Sequence, residues 1–98
     1  AQVGSLVYLG MLALKTGRTE EGVRDLEAFT QFDRSAQAEL IAAEAYGLVG
    51  HVDHAVAHIR RAIAIDPACA GFVTSSIAFQ SVRGEQAVQN LLAARRAR

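Results

Sequence analysis

The sequence has no tryptophan and only one proline, one cysteine and one methionine among its 98 residues. It also has few alternating runs of β-branched residues, the pattern that indicates a half-buried strand. Hydrophobic residues make up 51% of the chain, and alanine is their main contributor. A composition rich in alanine and poor in aromatic residues suits closely packed helices better than a β-sandwich. We therefore predict an all-α chain, whose length fits one domain with one core.

The chain lacks a surplus of charge of either sign, because ten basic residues balance ten acidic ones. Proteins that bind nucleic acid usually carry a basic surplus, since contacts with phosphates supply most of their affinity. The short basic tail of Arg95, Arg96 and Arg98 instead suits the negative end of a helix dipole. We therefore predict no nucleic-acid partner.

No segment has the features of a membrane span. The apolar stretch from Val3 to Leu14 is too short to cross a bilayer and lacks the basic region that opens a signal peptide. Because the sequence begins with alanine, we expect it to be a piece of a longer protein. We predict a cytoplasmic location, and a removed signal peptide stays an open alternative. The lone Cys69 cannot form an internal disulfide and is expected to be a small buried hydrophobe.

The sequence contains a repeat with a period of 33 residues. Gly17 and Gly50 are 33 residues apart, and so are Asp33 and Asp66. Each unit contains an apolar helical stretch, a turn at the glycine, a second helical stretch and a break near the aspartate. Such a period is typical of arrays of helix hairpins. The two units are Val3–Ser35 and Ala36–Cys69.

Apolar periodicity and local chemistry predict about six helices. Glycine ends the first and third, because it readily takes left-handed backbone angles. Thr19 and Ser35 are candidate N-caps, and Pro67 ends the fourth helix. The predicted helices are Val3–Thr16, Thr19–Phe32, Ala36–Val49, Asp53–Ile65, Ala70–Val82 and Glu85–Arg96. The residues predicted to face inward are Leu6, Leu9, Gly10, Ala13, Val23, Leu26, Phe29, Phe32, Ala42, Ala43, Tyr46, Ala55, Val56, Ile59, Ala62, Ile63, Val88, Leu91 and Leu92.

The second unit carries a known motif. Small residues on its first helix are followed by an aromatic residue and a glycine turn. On its second helix, two alanines stand on either side of a large apolar residue, and a proline follows. These residues are Ala42, Ala43, Tyr46, Gly50, Ala55, Ile59, Ala62 and Pro67. With them, Ala36–Pro67 resembles a tetratricopeptide repeat, and Val3–Ser35 resembles a weaker copy. Glu39 departs from the pattern, because the family often places a large aromatic residue there.

This resemblance implies antiparallel helix hairpins stacked as a short right-handed α-α superhelix. We expect residues 1–98 to form a single domain, in which 3–35 and 36–69 are repeats. The segment Ala70–Arg98 would be a degenerate repeat that caps the array. Part of it, Phe79–Leu92, resembles the closing segment of repeat arrays in bacterial signalling and regulatory proteins.

In tetratricopeptide arrays the first helix of each repeat lines a concave groove that binds a partner. The groove residues implied here are Val7, Tyr8, Met11, Leu14, Lys15, Gln37, Leu40, Ile41, Glu44 and Leu48. This patch is mostly apolar, so it is predicted to bind a peptide or helix of a partner protein. Burial against the parent protein or a second copy stays an alternative, and we expect the isolated chain to form a homodimer through its apolar first helix.

The chain is predicted not to be an enzyme and to need no cofactor, because it has no phosphate-binding loop, nucleophile elbow or metalloprotease motif. His51, His54 and His58 are candidate metal ligands, and His54 and His58, four residues apart, would share one face of a helix. This spacing provides no clear third ligand, and the three histidines lie at positions predicted to be on the outer surface. The rival hypothesis is a regulatory or metal-binding part of an enzyme. The carboxylates expected to be solvated are Glu20, Glu21, Asp25, Glu27, Glu39, Glu44 and Asp53.

Overall fold

The computed structural model is all-helical over the residues that it describes, which are 3–75, 79–80 and 84–96. The helices are α1 (Val3–Lys15), α2 (Thr19–Phe32), α3 (Ala36–Leu48), α4 (Val52–Ile65), α5 (Cys69–Ser75) and α6 (Gln86–Arg96). The fold class is therefore confirmed, and α1 to α4 end within one residue of their predicted limits. The predicted fifth helix extended to Val82, but positions 76–78 and 81–83 lie outside the described residues.

The turns within both units depend on glycine. Gly17 and Gly50 each have φ +85°, a left-handed conformation that other residues rarely adopt. Ser35 is confirmed as the N-cap of α3, because its hydroxyl accepts a hydrogen bond from the backbone N–H of Ala38 at 3.1 Å. Thr19 is not a cap: it is the first residue of α2, and the N-cap Arg18 makes no capping bond through its side chain.

Replacing Ser35 with alanine is expected to lower the free energy of unfolding by about 1 kcal/mol, because one N–H of the first turn of α3 loses its acceptor. Chemical denaturation would measure this loss. Ser5→Ala is the matched control, since Ser5 is exposed within α1 and alanine favours a helix interior. Equal stability of the two variants would contradict the capping role.

The helices pack as two hairpins, α1 with α2 and α3 with α4, and packing within each hairpin is far more extensive than packing between them. Glycines allow the first hairpin to close tightly. A Cβ atom on Gly22 would lie 2.6 Å from Cγ of Leu14 and 2.8 Å from the backbone oxygen of Gly10. Both distances are below van der Waals contact, so α1 and α2 cross at a spacing that only glycine permits.

The hydrophobic core runs through both hairpins into the C-terminal segment. Its largest fully buried apolar side chains are Tyr46, Phe79, Leu26, Ile59, Val73 and Val88. Val73, Phe79 and Val88 belong to one buried cluster with the residues of the hairpins. The described part of residues 70–98 thus covers apolar surface of the second hairpin.

Two predicted core residues are exposed instead. Leu9 is 49% exposed and Phe32 is 74% exposed. Leu9 lies on the side of α1 that no described helix covers, and Phe32 is the last residue of α2, past its packed turns. Cys69 is buried, as predicted. In the described ranges, no helix is long and apolar enough to span a bilayer.

Candidate functional site

The residues of the predicted groove lie on α1 and α3, two helices that contact each other. Five of them have exposed side chains: Tyr8, Lys15, Gln37, Ile41 and Leu48. Four are intermediate in exposure: Val7, Met11, Leu40 and Glu44. Of these four, the three apolar ones pack against the core. Among the exposed members, Tyr8 on α1 and Ile41 and Leu48 on α3 are aromatic or apolar.

Leu14 was predicted to face the groove, and this is wrong. Its side chain is buried, and its Cγ atom lies against the backbone of Gly22 in α2. The reason is the missing side chain at Gly22, which leaves a space that Leu14 fills. Leu14 is therefore part of the core of the first hairpin.

The repeat identifies an apolar face of α1 that is uncovered. Adding 33 to the numbers of Tyr8, Leu9 and Leu12 gives Ile41, Ala42 and Ala45 in α3. Ala42 and Ala45 are almost fully buried, whereas Leu9 and Leu12 are 49% and 40% exposed. The first hairpin packs against α3, but α1 has no equivalent hairpin before it among the described residues. The same face is thus an internal contact in one unit and open in the other.

A second, unpredicted cluster lies between the hairpins. His58 of α4 is 1% exposed, and both of its ring nitrogens face carboxylates. Nδ1 lies 2.5 Å from Oε2 of Glu39 in α3, and Nε2 lies 2.6 Å from Oε2 of Glu27 in α2. The hydroxyl of Tyr46 donates to the same oxygen of Glu27 at 2.8 Å. We call these four residues the His58 cluster; they join three helices.

The environment of the His58 cluster favours an ionised Glu27. Burial acts to raise the pKa of Glu27, but hydrogen bonds from His58 and Tyr46 and the electrostatic influence of His58 and Arg61 outweigh it, so this pKa lies below its usual range. The stability that Glu27 contributes is therefore present at neutral pH and is lost as the pH falls through its lowered pKa.

The pKa of Tyr46 is shifted in the opposite direction to that of Glu27. Its burial, together with the hydrogen bond to Glu27 and the charge of that carboxylate, raises the pKa of Tyr46 well above its ordinary 10.0. The hydroxyl therefore stays protonated and remains a donor across the neutral range. Its contribution to stability is present below pH 10 and is lost as the pH rises through the raised pKa.

The prediction that the three histidines lie on the outer surface is wrong for His58. Its two ring nitrogens already face carboxylates, so neither is open to a metal. His51 and His54 are partly exposed and surround Tyr46 instead, with ring centroids 6.4 Å and 4.7 Å from it. Within the described part of the chain, no group of three His, Cys, Asp or Glu residues is arranged to hold a metal ion.

The prediction of solvated carboxylates is wrong for Glu39, which is 6% exposed. A signal for both errors was present in the sequence. Glu39 precedes Ala42, Ala43 and Tyr46 at helical spacing, so it belongs to the inward face of α3. His58 likewise stands three residues after Ala55 and four before Ala62, both of which are fully buried.

An open cleft of about 450 Å³ borders the His58 cluster. Its lining includes Glu27 and Glu39 as well as Arg34 and Arg61. A guanidinium nitrogen of Arg61 lies 3.8 Å from Oε1 of Glu27. Glu27 therefore lies between a buried imidazole and a solvent-accessible guanidinium.

Cys69 has little nucleophilic character. Its thiol is buried, and burial together with the negative charge of Asp66 raises the pKa of the Cys69 thiol. A thiol must lose its proton to act as a nucleophile, so this environment favours the inert form.

Comparison with known proteins gives no relative for this chain. No protein-family model matches it, and neither the curated proteins nor the solved structures contain a significant match. The class defined by the fold is thus an all-α chain of packed helix hairpins, and membership of the tetratricopeptide family stays a prediction from the sequence.

Proposed function

We propose that this chain is a protein-interaction module of the tetratricopeptide type, which binds an apolar helix or peptide through α1 and α3. The observation that supports this most directly is the exposed apolar face formed by Tyr8, Leu9 and Leu12 on α1. Ile41 and Leu48 add exposed apolar side chains on the neighbouring α3. Exposed apolar patches of this kind usually mark contact with another protein.

The occupant of this face is expected to resemble the surface that covers α3 inside the chain. There, the first hairpin contacts α3, in which Ala42 and Ala45 are buried. An amphipathic helix with an apolar stripe would cover the corresponding face of α1 in the same way. In the isolated chain we expect a second copy to take this place, as a two-fold symmetric homodimer.

The rival function, a metal-binding or regulatory part of an enzyme, has less support. One of its three candidate ligands, His58, has both nitrogens against carboxylates, and the buried Cys69 has a raised pKa. The absence of nucleic-acid and membrane partners and the cytoplasmic location remain proposals from composition. They are consistent with the balanced charge of the chain.

We predict that the wild-type chain is a dimer at about 100 μM, a concentration at which a complex with a micromolar Kd is mostly formed. Replacing Tyr8 and Leu12 together with glutamate should give a monomer, because it places charges in an apolar contact. Light scattering after gel filtration would measure the mass. Both side chains are at least 40% exposed, so the variant is expected to fold.

Phe32→Glu is the matched control, since Phe32 is 74% exposed but is the last residue of α2 and belongs to neither α1 nor α3. It should leave the dimer intact. A monomeric wild type, or a dimer that survives both glutamates, would show that the α1 face is not the contact surface for a second copy.

A further inference from the structure

The His58 cluster holds more hydrogen-bond acceptors than a neutral ring can serve. A neutral imidazole has one N–H donor and one acceptor, and an ionised carboxylate only accepts. Both ring nitrogens nevertheless lie within 2.6 Å of carboxylate oxygens. The ring and the two carboxyl groups must therefore hold one proton more, in total, than a neutral imidazole and two ionised carboxylates would.

The ring is the favoured place for that proton. Two carboxylates at hydrogen-bond distance attract a positive charge, and the attraction is stronger in a buried site than in water. Arg61 of α4 lies beside the other oxygen of Glu27 and further favours the ionised form of that carboxyl. The remaining titratable neighbours are Tyr46, whose ring stacks on His58 at 5.4 Å, and His54, whose ring stacks on Tyr46.

We propose that Glu27, His58 and Glu39 form a proton-dependent clasp between the two hairpins. The doubly protonated ring binds one carboxylate from each hairpin, and loss of one ring proton breaks its bond to Glu27 and so weakens the contact between the hairpins. The clasp requires no partner protein, so it stands whether or not the proposed interaction surface is correct.

Glu27 is the carboxylate that would leave. Its side chain is 29% exposed and borders the open cleft, whereas the side chain of Glu39 is 8% exposed. After the ring loses a proton, Glu27 can turn towards Arg61 and water at little cost, but Glu39 cannot. Its departure breaks the bond from the buried ring to the first hairpin, and the polar contacts of Glu27 that remain with the second hairpin are those with Arg61 and Tyr46.

The protonation state can be measured directly on the wild-type chain by nitrogen NMR of the histidine rings between pH 5.5 and 9.5. Both nitrogens of His58 should show imidazolium shifts at pH 7, a pH at which an exposed histidine, with a pKa of about 6.5, is mostly neutral. Backbone amide shifts in α2 and α3 should then change at the same pH as the ring of His58. The variants His58→Gln and His54→Gln assign the ring signals.

Thermal unfolding gives the second measurement. The folded chain would hold one proton that the unfolded chain releases near neutral pH, so the melting temperature should fall as the pH rises above neutral. We expect a fall of about 5 °C in wild type, given the usual sensitivity of a domain of this size. His58→Gln should lose this dependence, and His54→Gln, altered one turn earlier on α4, should keep it.

A neutral His58 ring at pH 7 would overturn the proposal, because the extra proton would then reside on a carboxyl group. Parallel curves of melting temperature against pH for wild type and His58→Gln would overturn it as well. If His58→Gln does not fold, Glu27→Gln provides the alternative. It removes one carboxylate, so the ring of His58 should lose its imidazolium signal at a lower pH than in wild type, and an unchanged transition would count against the clasp.

Discussion

The variant His58→Leu is expected to lower the free energy of unfolding by about 3–5 kcal/mol at pH 7. Leucine fills a similar space, but it leaves Glu39 and Glu27 facing each other without a donor between them. Glu39 is the costly partner, because its side chain is only 8% exposed and cannot regain water easily. Denaturant titration followed by circular dichroism would measure the loss.

The pH dependence of this variant should identify the cause. As the pH falls towards the usual carboxyl range, protonation of one glutamate allows the two to share a hydrogen bond, and the deficit should shrink. His54→Leu is the matched control, since His54 is partly exposed and makes ring contacts with Tyr46 and His51. A loss below about 1 kcal/mol in His58→Leu, similar to that of the control, would contradict a buried charge network.

The double variant Glu39→Leu with His58→Leu should recover most of the lost stability. It removes the buried charge together with its partner, and a well-packed apolar pair is often as stable as a buried ion pair. Glu27 can then turn to Arg61 at the cleft. If the double variant is less stable than His58→Leu alone, the space between α3 and α4 does not accept apolar side chains.

Gly22→Ala is expected to lower the free energy of unfolding by about 1–3 kcal/mol, the usual cost of overpacking a close contact. In an ordinary helix interior the same change raises the free energy of unfolding by up to about 1 kcal/mol, because alanine is the better helix former. Here the new Cβ atom would stand 2.8 Å from the backbone oxygen of Gly10, and a backbone atom cannot move aside without shifting α1.

Gly71→Ala is the control for this second prediction. A Cβ atom on Gly71 would meet nothing within 4 Å, so the variant should be neutral or more stable. Thermal denaturation of both variants under one set of conditions would compare them. A stabilising effect of Gly22→Ala would show that α1 can move away from α2 without loss.

The positions of the helices were predictable because their ends depend on nearby residues. Gly17 and Gly50 take positive φ angles that other residues avoid, and Ser35 caps α3 with its own hydroxyl. These signals act within a few residues, so they can be read without knowledge of tertiary packing. Thr19 shows the limit of such signals, because the chain enters α2 one residue earlier than a cap at Thr19 would require.

The His58 cluster was missed because residue type was given more weight than position. His58 and Glu39 are polar, and polar residues are usually exposed. Their helical spacing nevertheless placed each on the buried stripe of its helix. The pairing itself was harder to predict, because His58 lies 19 residues after Glu39 and 31 residues after Glu27. Only the packing of α2, α3 and α4 brings the three together.

The exposed surface was predicted in part. The hydrophobic first helix and its exposed Tyr8 follow from composition and helical spacing, but the burial of Leu14 does not. That burial depends on the absence of a side chain at Gly22, a residue of the other helix. A prediction of which apolar residues stay exposed therefore needs the contact partners as well as the periodicity.

The His58 cluster also limits how this sequence can change over generations. Loss of the His58 ring leaves the buried Glu39 without a partner, whereas a concerted change of Glu39 and His58 to apolar residues restores a stable core. Positions 39 and 58 should therefore vary together among descendants of this chain, although they lie on two different helices. Selection would treat them as one inherited unit, and a lineage could leave the charged state only by passing through a less stable intermediate sequence.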